Sequence, residues 1–319
     1  MAPPAEFPDA ETGSAPGSPT SKACAAATGL LAGTPWRWLG RVELADAVAV
    51  NAAACARLRA DPTAVRGEIA CFEPAAAVFT MGRRAQTPAG RAGLAASLAA
   101  CAAKGIEVVA VERGGLGTLH LPGQLIVFVA VPCQRTRLRL LVCELLGAAR
   151  ALATAAGLAT TLDAEGDVGL WAAGHGPGRS AGKLASIGLY ESRGIVSHGL
   201  SLNVAVDGGL GSGLALCGSS ATRFNSLHAP GSLGDSVADA VAQAAVAYAA
   251  ALGLGPRTAD RVARNNTFWR PAAANPAPGD LAAQLETSPI AIIGDPVKLV
   301  FTAPDGDPDA APGIPHSHT

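Results

Sequence analysis

Between residues 182 and 204 apolar side chains alternate with polar or small ones. Gly182-Lys183-Leu184-Ala185-Ser186-Ile187-Gly188-Leu189 is followed by Ser197-His198-Gly199-Leu200-Ser201-Leu202-Asn203-Val204. A period of two predicts strands, and Glu191-Ser192-Arg193-Gly194 between them predicts a hairpin turn. Elsewhere the pattern is denser. A helix is expected over 42–60, ending before Asp61-Pro62, and an Ala-rich one over 90–104, stopped by Gly105. Short strands are expected at 69–72, 106–111, 124–131 and 167–171, with a loop running into Phe79-Thr80-Met81-Gly82 and a turn at Arg113-Gly114-Gly115. A long helix starts at Thr136 and stops by Gly157, and another covers 235–252. Strands and helices mix without regular alternation, and the best strands are hairpin-like. This predicts an α+β layer fold, with a mixed or antiparallel sheet packed against helices.

Residues 1–30 are rich in Pro, Ala, Ser and Gly without a hydrophobic period, so they read as a disordered extension. A catalytic body is expected over 31–255. A Pro-, Asp- and Ala-rich extension follows over 256–319, with a candidate hairpin at 290–293 and 297–301. His316 and His318 in that tail read as a polar terminus in preference to a metal site.

Aromatic residues make up only 4% of the chain, so Ala, Val and Leu must fill its core. No apolar run approaches the roughly 20 residues that span a bilayer, and the acidic N-terminus matches neither a secretory nor a transit pattern. Seven cysteines without Cys-x-x-Cys pairs fit reduced thiols in a cytoplasmic protein. Residues 31–230 hold 18 basic and 13 acidic side chains, between acidic flanks, which suits an acidic partner. Basic clusters interleaved with aromatics are lacking, which argues against nucleic acid.

Two residues stand out chemically. The chain has 20 arginines but only four lysines, and Lys183 opens one of the alternating strands. Cys217 sits beside Gly218 in the loop beyond the hairpin. An ammonium beside a thiol lowers its pKa and provides a nucleophile, and a lysine can relay a proton where an arginine cannot. The bland alternatives are a small buried hydrophobe and a solvated cation.

The wording from Gly182 to Val204 followed by Cys217-Gly218, at this spacing, resembles the lipoyl(octanoyl) transferases. Those enzymes share a fold with lipoate and biotin protein ligases. A second matching block is Arg113-Gly114-Gly115-Leu116-Gly117-Thr118-Leu119-His120-Leu121-Pro122-Gly123-Gln124, and a weaker third is Phe79-Thr80-Met81-Gly82-Arg83-Arg84. Together they cover roughly residues 35–230. The resemblance implies a biotin/lipoate protein ligase-like catalytic domain with Cys217 and Lys183 as catalytic residues. It implies an acyl-chain pocket lined by Arg113, Gly114, Gly115, Leu116, Gly117, Thr118, Leu119 and His120. Ser186, Ile187, Gly188, Gly199, Leu200 and Ser201 complete that implied lining, and His120 and His198 are candidates to touch substrate.

The activity so implied moves an octanoyl group from acyl carrier protein to a lipoyl-domain lysine, of a 2-oxoacid dehydrogenase or the glycine cleavage H protein. It passes through a thioester on Cys217 and needs neither ATP nor a metal, so no cofactor is expected. Neither nucleic acid nor a membrane is an expected partner. Three departures from the family wording stand out: Leu119 for an aromatic residue, Leu121 for glycine and Leu216 for proline. An ATP-dependent lipoate protein ligase and a non-catalytic acyl- or carrier-binding relative are the alternatives.

Overall fold

Strands β1 (Trp36–Val42), β2 (Glu68–Pro74), β6 (Gln124–Pro132), β7 (Thr160–Ala164), β8 (Asp167–Ala172), β9 (Gly182–Ser192) and β10 (Ile195–Asn203) form one seven-stranded sheet. Their order is β1-β2-β6-β10-β9-β8-β7. Only β1 and β2 run parallel; the other pairings are antiparallel. A smaller sheet, β4-β3-β5, joins β3 (Val78–Met81) in parallel to β4 (Glu107–Ala110) and antiparallel to β5 (Gly117–His120). The fold is α+β with mixed sheets, as the irregular alternation predicts. This computed structural model describes residues 29–61, 67–164, 167–172, 182–206, 224–229 and 231–258. Cys217, Leu216, the hairpin expected over 290–301, and His316 and His318 lie outside them.

The β9–β10 hairpin forms where the alternation places it, and Arg193 and Gly194 at its tip both take positive φ. Two consecutive left-handed residues give the turn a twist that matches the flanking strands. Helix α1 (Leu44–Ala60) packs on one face of the large sheet, through Leu44, Ala47, Val50 and, further along, Ala54, Cys55 and Leu58. Helices α4 (Leu138–Ala155) and α5 (Val237–Ala251) cover the other face through Leu141, Leu145, Leu146, Val241 and Tyr248. Burial of that many aliphatic side chains, each contributing roughly 1.5–3 kcal/mol, fixes the layer order. The Tyr248 hydroxyl, fully buried, donates to the Leu145 carbonyl at 2.7 Å and so is satisfied within that seam.

Several details differ from the sequence reading. The stretch expected as one helix over 90–104 is two, α2 (Pro88–Gly93) and α3 (Ala95–Ala103). They break at Leu94, whose fully buried side chain fills the core of the small sheet. Thr87 caps α2 by accepting from the Gly90 amide, and Pro88 supplies a ready-made first turn. The loop expected through Phe79 is strand β3, and the glycine-rich turn leads directly into β5. Cys55, Cys71, Cys101 and Cys133 are free thiols, in line with a reduced set, whereas Cys143 on α4 is disulfide-bonded. Among the described residues no helix is long and apolar enough to cross a membrane.

Candidate active site

A cavity opens where the large sheet, the small sheet and α1 meet. It encloses about 400 Å³, counted to its open mouth. Large-sheet strands β6, β9 and β10 contribute Ile126, Phe128, Ser186, Ile187, Gly188, His198, Gly199, Leu200 and Ser201. Small-sheet residues Thr80, Thr118 and His120, with Val111 and Arg113 from the adjoining segment, form the opposite wall, and Leu44 and Val48 of α1 close one side. Most of that space belongs to the open mouth; the interior proper holds only about 30 Å³, a narrow slot whose wall is mostly hydrocarbon.

Of the residues assigned to the pocket from the sequence, Arg113, Thr118, His120, Ser186, Ile187, Gly188, Gly199, Leu200 and Ser201 meet here. Gly114, Gly115, Leu116, Gly117 and Leu119 do not line it. Leu119 alternates to the far side of β5 and is buried against Phe79 and Met81, with Leu116 packed on the edge of the same cluster. Gly117 leaves room for the Phe79 ring, which a Cβ there would strike. Gly114 shapes the wall indirectly, since its amide donates to the Leu189 carbonyl at 3.1 Å and pins the turn to β9. Leu44, Val48, Ile126 and Phe128 were not foreseen, because nothing in an apolar helix or strand says which neighbour it faces.

Small residues make the slot. A Cβ on Gly188 would stand 3.0 Å from the Arg113 Cδ, so glycine lets the arginine chain cross the strand. A Cβ on Gly199 would collide with the Val127 carbonyl, so β10 can press closely against β6 at that point.

One buried polar knot organises the small-sheet wall. The Arg113 guanidinium donates through Nη2 to the Thr80 carbonyl and hydroxyl, both at 2.8 Å, and through Nη1 to the Gly114 carbonyl at 2.9 Å. The Thr80 hydroxyl donates to the Thr118 carbonyl at 3.2 Å, and His120 Nε2 lies 3.2 Å from that same hydroxyl. With the hydroxyl's proton directed to Thr118, the Nε2–H tautomer of His120 completes the contact. Its Nδ1 is then a buried acceptor, and that atom has no hydrogen-bond partner. Burial and the Arg113 charge push the His120 pKa down to about 3, and the same two causes lower His198 to about 4. Both imidazoles are therefore neutral near pH 7.

Lys183, the second residue of β9, is 3% exposed, with Nζ 5.3 Å from the centre of the Trp171 ring. A Cβ on Gly169 would meet its Cε at 2.5 Å, so the lysine chain lies across a glycine on β8. The lysine does not line the cavity itself; Ser186, three residues along the same strand, does. Its main chain is anchored to the segment 224–229: Asn225 N–H donates to the Lys183 carbonyl at 3.0 Å. Cys217 precedes that segment, outside the described residues.

Leu121, the departure from glycine, is 1% exposed and sits in the core of the small sheet with Leu119 and Val206, away from the cavity. Its amide donates to Gln124 Oε1 at 3.1 Å, and Gly123 beyond it keeps a positive φ.

Comparison with known proteins agrees with this architecture. An octanoyltransferase of Maridesulfovibrio salexigens is 36% identical over 142 residues, 44% of this chain and 61% of its own length. The mitochondrial octanoyl-[acyl-carrier-protein]:protein N-octanoyltransferase of Xenopus tropicalis is 32% identical over 188 residues, 57% of this chain and 72% of its own. The corresponding human protein is 34% identical over 182 residues, 53% of this chain and 71% of its own. In structure, a lipoate-protein ligase A bound with ATP superposes with a TM-score of 0.51 at 15% identity, over 80% of this chain and 95% of that one. That likeness establishes the fold. The lipoyl protein ligase A/B catalytic domain matches residues 45–238, more than half of the sequence and the whole of the cavity wall but Leu44. The chain thus belongs to the lipoyl protein ligase A/B catalytic domain family.

Proposed function

We propose that this protein transfers an octanoyl group from octanoyl-acyl carrier protein to the lysine of a lipoyl domain, through a thioester on Cys217. The observation that carries the reading is the narrow, largely apolar cavity built from the Arg113–His120 and Ser186–Ser201 blocks, next to Lys183 on the same strand. Relatives named octanoyltransferase support it. A linear C8 chain in such a slot buries its methylenes at roughly 0.8 kcal/mol each, several kcal/mol in all.

Cys217 and Lys183 share one proton, and the thiolate attacks the thioester carbonyl of the donor. A Cys217–acyl C–S bond forms, the C–S bond to the carrier arm breaks, and the carrier thiolate leaves with a proton. The lipoyl-domain lysine then attacks as a neutral amine, forming the amide and expelling the Cys217 thiolate. The amine's surplus proton passes through Lys183. Thioester to amide is downhill, so the carrier thioester supplies the driving force. Neutral His120 and His198 keep charge other than that of Arg113 away from the hydrocarbon chain. The acceptor is a lipoyl domain of a 2-oxoacid dehydrogenase or of the glycine cleavage H protein. A thiolate mechanism needs a reducing compartment, and we place the reaction in the cytoplasm.

Intact-mass measurement after mixing with octanoyl-carrier protein tests this directly. The expected result is a gain of one octanoyl group that disappears in Cys217→Ala. An enzyme that stays unmodified with that donor, but forms octanoyl-adenylate from octanoate and ATP, would be a ligase instead.

A further inference from the structure

We propose that Asn51 is a positioning residue for the acyl cavity: its carboxamide replaces one rung of the β6–β10 ladder and so turns the His198 imidazole into the cavity wall. The inference deepens the reading of the cavity as an acyl site and rests on it for its kinetic arm.

The register sets the problem. Val196 pairs with Val131 and Gly199 with Phe128, so His198 stands opposite Val129. Val196, Leu200 and Leu202 point to the face covered by α4 and α5, as Val127 and Val129 do from β6. A regular strand would send His198 to that apolar face as well. Its ring lies instead on the α1 side, edge-on to Phe128 with centroids 5.6 Å apart, and lines the cavity. The reversal is made by the backbone: His198 takes φ 61°, a left-handed conformation uncommon for a non-glycine residue inside a strand.

Asn51 supplies the hold. From the middle of α1 it accepts the His198 amide on Oδ1 at 3.1 Å and donates from Nδ2 to the Val129 carbonyl at 2.8 Å. These are the two backbone groups that the twist at His198 uncouples. A carboxamide presents an N–H donor and a carbonyl acceptor side by side, so it can stand in for a peptide unit between the strands. Asn51 is buried, and both polar atoms of its carboxamide take part in this bridge. Gly199, the next residue, lets β10 return to β6 at once.

The test compares Asn51→Leu, Asn51→Asp and His198→Gly in the full chain. In Asn51→Leu the His198 ring-proton resonances should lose the ring-current displacement due to Phe128. KM for octanoyl-carrier protein should rise more than kcat falls, with kcat/KM down on the order of 10- to 100-fold. His198→Gly tolerates the left-handed backbone and should cost about the same, and the double variant no more than either alone. Asn51→Asp carries its own control. Protonated, its carboxyl still offers a donor and an acceptor; ionised, it loses the donor. Its kcat/KM relative to the unmodified protein should therefore fall as pH rises through the raised pKa of a buried carboxyl. Unmoved His198 resonances in Asn51→Leu, or multiplying losses in the double variant, would overturn the proposal. If Asn51→Leu does not fold, an Asn51→Asp protein with a pH-independent ratio does the same. The NMR arm needs no substrate, so it reads Asn51 even if octanoyl transfer is the wrong activity.

Discussion

The Asn203 carboxamide donates to the Lys183 main-chain carbonyl at 3.1 Å and, from the same Nδ2, to the Asn225 carbonyl at 2.9 Å. Its Oδ1 accepts from Gln124 Nε2 at 2.8 Å. One buried side chain at the end of β10 thereby ties together the strand of the lysine, the segment 224–229, and the start of β6. Such a satisfied network is costly to break in part, because each orphaned group keeps its desolvation penalty. Lys183 is thereby held at its main chain, while its Nζ lies over the Trp171 ring.

Replacing Lys183 by Arg should therefore be nearly as damaging as replacing it by Ala. Arginine keeps a charge that favours a thiolate, but it cannot give and take a proton near neutrality. Its fork must also fit where Lys183 crosses Gly169 and approaches Trp171. Single-turnover acylation and deacylation rates are the measurement. Recovery of most of the turnover in Lys183→Arg would reduce the lysine to an electrostatic aid.

Cys217→Ala should abolish octanoyl transfer while the far-UV circular dichroism spectrum stays that of the unmodified protein. None of Cys55, Cys71 or Cys101 can substitute, because all three are buried with thiol pKa values raised by desolvation. Full activity of the variant would remove the covalent step.

Leu121→Gly should destabilise the protein by about 2–5 kcal/mol, the usual cost of truncating a large buried side chain. The profile across C6, C8 and C10 donors should not move, since Leu121 packs with Leu119 and Val206 away from the cavity. A changed preference with unchanged stability would put the side chain in the slot after all.

Acid should destabilise the fold from about pH 6.5 downward, beyond the general effect of carboxylates. His120 and His198 are neutral in the folded state, with pKa values near 3 and 4, while an unfolded histidine titrates near 6.5. Between those limits the unfolded chain binds the extra protons, so stability rises with pH through roughly 4 to 6.5 and levels off above. Each histidine contributes on the order of a few kcal/mol to that slope. Denaturant midpoints against pH for the protein and for His120→Gln measure it, and the variant's curve should be shallower.

The strong periodic elements were legible in the sequence. Alternation located β9 and β10 because small or polar residues stand between their apolar ones, although β10 is buried along nearly its whole length. Helices α1, α4 and α5 lie within a few residues of where their apolar patterns put them. The wording of the Gly182–Val204 and Arg113–Gln124 blocks sufficed for the family and the candidate chemistry. Of the small sheet only β4 was legible, within the strand expected over 106–111. Strands β3 and β5 are four residues long, β3 is buried on both faces, and neither has room to show a period.

What only the tertiary structure decided is direction. The sequence contains Leu119, Leu121, Phe128 and His198 but does not say which of them sees the cavity. Two of the candidates from the glycine-rich block, Leu116 and Leu119, turn into a core of their own, and Leu44 and Val48 of a helix 60 or more residues away take part in the wall. His198 sits where a regular strand would bury it on the opposite face, and a hydrogen bond from its amide to Asn51, 147 positions earlier, holds the reversal. Side-chain direction within a strand follows local periodicity only while the ladder is regular. Once a distant residue takes over one rung, the packed fold alone decides where that side chain points.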